Sequence, residues 1–153
     1  MRQLSPDPLI GLQAMSAAVD RFPYPTLVRR QYSASFVHAI HKYQTQLSVD
    51  PRLAETIYRI GATVSPFDTT ILFARVEYLF NFGPLDRIPP VIDSMKRVAS
   101  NLPGTWLAEA YYSVMTGDLA RAKQASETGL KLNPTDPVLR ERLNQFANIG
   151  VSQ

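Results

Sequence analysis

His38 and His41 are the residues best spaced for chemistry. Three positions apart, they can share one face of a helix and present two imidazoles to a metal ion. A zinc site normally takes three or four protein ligands, and no Cys, Asp or Glu lies within one helical turn of the pair. A solvated or edge position accounts for both histidines, and with Arg29, Arg30 and Lys42 they make a modestly basic face. Arg29 and Arg30, close to Tyr32 and Phe36, are also of the types that hold a phosphate or an acidic peptide; a solvated helix face is the preferred reading of them. Ser113 and Ser126 lack the G-x-S-x-G context of an activated serine. Glu77, Glu109, Glu127 and Glu141 are distributed among helices, with no obvious carboxylate pair. The glycines form neither G-x-G-x-x-G nor a P-loop. There is no cysteine, which removes disulfides and thiolate chemistry. The expectation is therefore a non-enzymatic protein with no catalytic residue, no bound metal and no cofactor.

Charge narrows the partners further. The chain of 153 residues carries a net charge of +3. Through Ser65 there are seven Arg and Lys against four Asp and Glu, and from Pro66 onward nine against nine. A nucleic-acid binder usually shows a denser basic stripe, so no nucleic-acid partner is expected. No apolar run reaches the roughly 18 residues needed to span a bilayer. Pro6, Asp7 and Pro8 interrupt the first segment, which lacks the continuous apolar stretch of a secretory signal.

The elements that would position a surface are clearest between Pro103 and Pro137. Trp106, Leu107, Ala110, Tyr111 and Val114 recur at spacings of three and four, the signature of one apolar helical face. Gly117 follows at a C-cap position, and Asp118 can cap the next helix. Leu119, Ala122, Ala125, Ser126, Gly129 and Leu130 form a second stripe, whose small residues permit close helix approach. Lys123, Gln124, Glu127 and Lys131 fall on other faces and read as solvated. Asn133-Pro134 stops this helix, and Asp136-Pro137 opens another.

Trp106, Ala110, Gly117, Leu119, Ala122, Leu130 and Pro134 stand where the tetratricopeptide repeat carries its signature residues, and the stretch resembles one unit of that family. The sequence departs from the family pattern at Glu109, Ser113, Ser126 and Gly129, where Leu, Tyr, an aromatic and Ala are preferred. Leu72, Val76, Gly83 and Leu85 precede Trp106, Ala110, Gly117 and Leu119 by 34 residues each, the length of that repeat. The resemblance implies an all-α fold: a short right-handed superhelical array of antiparallel helix pairs, an α-solenoid of about eight helices. Residues 1–153 form one domain in this reading, with the best repeats at 68–102 and 103–136, degenerate helices over 6–66 and a capping helix at 137–147.

Earlier in the chain, Ser5 to Asp7 cap a helix ending near Arg21, and FPYP makes an extended connector. From Thr26 the pattern predicts one long helix, or two with a break near Ser33, before Asp50-Pro51. Ala39, Tyr43, Leu47 and Pro51 echo the second helix of a repeat, but 49 residues separate Ala39 from its counterpart Ile88. Leu53, Ile57, Ile60 and Val64 mark a helix closed by Ser65-Pro66, and Asp68 or Thr69 caps the next, which ends at Gly83. Pro89-Pro90 cost roughly 3 kcal/mol each inside a helix but little in a first turn, so the following helix starts at Asp86 or later. Phe73, Tyr78, Phe80 and Phe82 cannot share one narrow face; core packing or a lining of a groove are both open to them.

In repeat arrays of this kind, partners bind on the concave face through the first helix of each pair. The resemblance thus implies a scaffold or interaction module for a peptide or protein partner, with Arg75, Tyr78, Glu109 and Tyr112 as candidate contacts. RFPYPTLVRR, NPTDP and SPFDTTILFAR also resemble the soluble C-terminal tails of bacterial O-antigen polymerase or ligase-type membrane proteins. Those tails carry degenerate repeats outside the cytoplasmic membrane. That likeness implies a periplasmic, membrane-associated piece of a larger chain that assists glycan assembly or acceptor binding; a cytoplasmic location is the other possibility.

Overall fold

The computed structural model describes residues 8–19, 32, 34–40, 42, 47 and 49–149. Arg29, Arg30 and His41, the FPYP connector and the expected break at Ser33 lie outside the described residues. All regular structure among the described residues is helical: seven α-helices with defined bounds, a further helical stretch at 34–40 and one short 3-10 turn. The fold is all-α, as the periodicity predicts. The chain divides into two compact units, Met1–Gly83 and Pro84–Gln153.

In the N-terminal unit, α1 (Pro8–Val19) packs on α2 (Pro51–Val64), and α2 packs on α3 (Thr69–Phe82). Residues 34–40 are helical too. The two well-defined starts have one cause: an aspartate whose carboxylate satisfies the amides that have no partner inside the helix. Asp50 Oδ1 accepts from the Arg52 and Leu53 amides at 3.0 and 3.1 Å, with Pro51 at the first helical position. Asp68 Oδ1 does the same for Thr70 and Ile71. Ile57, Ile60 and Val64 are buried with Tyr32, Phe36, Ala39, Leu47 and Ile71 in one apolar cluster. Leu72, Val76 and Leu79 are buried as the 3.6-residue period requires.

The C-terminal unit opens on a 3-10 turn, Leu85–Arg87, followed by α4 (Ile88–Ala99). Pro89 and Pro90 fall in the first turn of α4, where no intrahelical amide bond is lost. Then come α5 (Pro103–Met115), α6 (Leu119–Lys131) and α7 (Pro137–Ala147). Here α4 packs on α5, α5 on α6, and α7 on both α5 and α6. The expected repeat 68–102 has its two helices, α3 and α4, on either side of the division between units.

The α5–α6 turn is built by Gly117. Its φ of +80° is a left-handed conformation that costs an L side chain energy and costs glycine none. The Asp118 amide donates to the Ser113 carbonyl at 2.8 Å and the Gly117 amide to Val114 at 3.1 Å, the paired bonds of a Schellman ending. Asp118 Oδ1 then accepts the Arg121 amide and starts α6. Asn133, at φ +52°, ends α6 ahead of Pro134, and Asp136 Oδ1 caps α7 through the Val138 and Leu139 amides.

One expectation needs correction. The apolar spacing puts Trp106, Leu107, Tyr111 and Val114 on the buried face of α5, but the residues buried there are Thr105, Ala108, Glu109, Ala110 and Ser113. Of the expected stripe only Ala110 is buried; Tyr111 is exposed, and Trp106, Leu107 and Val114 are half-buried. The physical reason is the opposing surface. Ala122, Ala125, Ser126 and Gly129 give α6 a shallow face, so α5 approaches with its own small side chains and its large ones sit at the rims. On α6 Leu119 is exposed and Leu130 half-buried, while Lys123, Gln124, Glu127 and Lys131 are exposed as expected.

Candidate functional site

The most organised polar group in the C-terminal unit centres on Glu109. Its side chain is 6% exposed, and its Oε1 lies 2.5 Å from Lys96 Nζ of α4 and 2.9 Å from Arg121 Nη2 of α6. Arg121 Nε also donates to Oε1, at 3.0 Å. Removing a carboxylate from water is expensive unless charged donors replace the lost hydration, and here two cations from two neighbouring helices do so. Lys96 Nζ also stands 5.4 Å from the centre of the Trp106 ring, a cation–π distance. Two further bonds tie the start of α5 to the end of α4: Thr105 Oγ1 donates to the Ala99 carbonyl and Trp106 Nε1 to the Ser100 carbonyl, both at 2.8 Å. Glu109 is thus the point at which three helices are joined, and its carboxylate faces inward.

The opposite side of α5 carries partly exposed large side chains. Tyr111 and Met115, one turn apart, are 44% and 40% exposed, and Leu119 at the start of α6 is 46% exposed. Tyr111 meets Phe146 of α7 with ring centroids 6.3 Å apart and planes at 57°, so this strip continues from α5 onto α7. Tyr112, the next residue of α5, is half-buried.

Arg75 and Tyr78 belong to the N-terminal unit. Arg75 is half-buried on α3. Tyr78 stands in a run of rings, Tyr32–Phe36–Tyr58–Tyr78–Phe82, with successive centroids 6.3, 5.8, 5.3 and 5.6 Å apart. The Tyr32 and Tyr78 hydroxyls are buried without a hydrogen-bond partner. Burial pushes the Tyr32 phenol upward; burial, with Tyr78 and Glu77 nearby, does the same to Tyr58; burial and then Asp50 raise Tyr78. The aromatic-rich segment of α3 thus joins a packed ladder through Tyr78, whose outer end is Phe82, 53% exposed.

That ladder sets an alkaline limit. A phenol held above its unfolded value near 10 keeps its proton in the folded state while the unfolded chain releases it. The stabilisation is complete below about pH 10 and is lost as pH rises past it toward the folded values. The expected result is a thermal midpoint of the N-terminal unit that falls steeply above about pH 10, with a shallower fall in Tyr58→Phe. Circular dichroism melts across pH 8–12 measure it.

The four residues expected to contact a partner are therefore not equivalent. Arg75 and Tyr78 lie in one unit and Glu109 and Tyr112 in the other. Glu109 is buried and engaged by Lys96 and Arg121, whereas Tyr112 is half-buried. Lys96 and Arg121 carry no local signal of their role, because they lie thirteen and twelve positions from Glu109 and meet it only through helix packing. Tyr111 and Met115 do carry one, the i, i+4 spacing of a shared face, but that spacing does not say whether the face is covered. His38 is exposed, and among the described residues no three His, Cys, Asp or Glu stand together as a metal site. No described helix is long and apolar enough to cross a membrane. Comparison with family models, curated proteins and solved structures returns no match, so the functional reading rests on these residues.

Proposed function

We propose that the chain is a non-enzymatic interaction module, a short tetratricopeptide-like array of antiparallel helix pairs that holds a peptide or protein partner. The observation that carries this reading is the division of labour on α5. Its small residues and Glu109 turn inward to fasten α4, α5 and α6, and Tyr111 and Met115 remain exposed on the other side. The packing of α7 on both members of the α5–α6 pair matches the way a following repeat stacks on the one before it. The strip Tyr111–Met115, flanked by Tyr112, Leu119 and Phe146, is the proposed contact surface. Tyrosine and methionine suit that role: the first brings a large amphipathic ring, the second an adaptable chain.

The double substitution Tyr111→Asp/Met115→Asp tests it. It is expected to keep the native helical content, with a modest fall in melting temperature from the lost Tyr111–Phe146 ring contact, and to lose at least tenfold in recovery of a partner captured from the native host by the wild-type chain. Recovery equal to wild type, with the fold intact, would contradict the proposal.

A further inference from the structure

We draw no further inference here: the strongest candidate, the open groove of about 410 Å³ along α7 lined by Thr135, Arg140, Glu141, Asn144 and Asn148, has its guanidinium donating to the Pro134 carbonyl and its Asn148 amide to the Asn144 carbonyl, and nothing in the structure shows what covers it.

Discussion

Glu109→Lys is expected to destabilise the C-terminal unit by about 4 kcal/mol or more, and Glu109→Leu by about 1 kcal/mol or less. The lysine places a third cation in a pocket already holding Lys96 and Arg121, where the original side chain is 6% exposed. The new ammonium is both desolvated and surrounded by like charge. Leucine removes the one group that needed pairing and fills a similar volume. Lys96 and Arg121 keep 28% and 48% of their side-chain exposure, so water can hydrate them once the carboxylate is gone. Removing one partner of an ion pair is costly where the charge left behind stays buried, and these two cations are not fully buried. Urea unfolding followed by the fluorescence of Trp106, the single tryptophan, reports on this unit because the ring lies against Lys96. Equal, large losses in both variants would mean that the carboxylate itself, and not the space it fills, holds the helices together.

Leu143→Ala and Gly129→Ala are expected to be strongly non-additive. Leu143 is the only fully buried residue of α7, and truncating such a side chain costs about 3 kcal/mol. Its two methyl carbons lie 3.0 and 3.1 Å from where a Cβ on Gly129 would stand, and the Trp106 Cβ lies 3.1 Å from it. Glycine at this position lets α5, α6 and α7 converge. Adding a methyl in the wild-type background forces Leu143 to shift and costs about 1–2 kcal/mol, net of the roughly 1 kcal/mol that alanine gains over glycine inside a helix. In the Leu143→Ala background most of the collision is absent, and the same change is expected to be neutral within about 0.5 kcal/mol, a coupling of about 1–2 kcal/mol. Denaturation of the four proteins of the cycle measures it. A coupling near zero would show that the three helices do not meet at Gly129.

Where local chemistry decides the structure, the chain is readable. Asp50-Pro51, Asp68, Asp118 and Asp136-Pro137 begin helices because a carboxylate one residue ahead answers amides that no other group can reach. Gly117 and Asn133-Pro134 end helices for equally local reasons. Pro89-Pro90 settle in a first turn because the interior would cost too much. The apolar stripe of α2 is legible because Ile57, Ile60 and Val64 are large and buried while Arg52, Glu55 and Arg59 are charged and exposed.

The reading fails where burial depends on the partner helix. On α5 large side chains sit at the rims and small polar ones inside, since the facing surface of α6 is made of Ala122, Ala125, Ser126 and Gly129. Hydrophobicity then no longer marks the inside, and the four departures from the repeat pattern become informative. Glu109 is ion-paired, Ser113 and Ser126 are buried, and Gly129 sits at a three-helix junction. Ser126 Oγ resolves its own burial by donating to the Ala122 carbonyl one turn back. The Lys96–Glu109–Arg121 group could not be read in advance because each pair spans more than ten residues, and no periodicity connects them.

The proposed role depends on whether the outer side of α5 touches another molecule. A photoreactive phenylalanine analogue placed at Tyr111, and separately at Gln124 on the solvated side of α6, measures this in the native host. A discrete crosslinked species is expected from position 111, suppressed when unlabelled wild-type chain is in excess, and none from position 124. Identical crosslinking from both positions, or none from 111 under conditions where position 124 reacts, would contradict it.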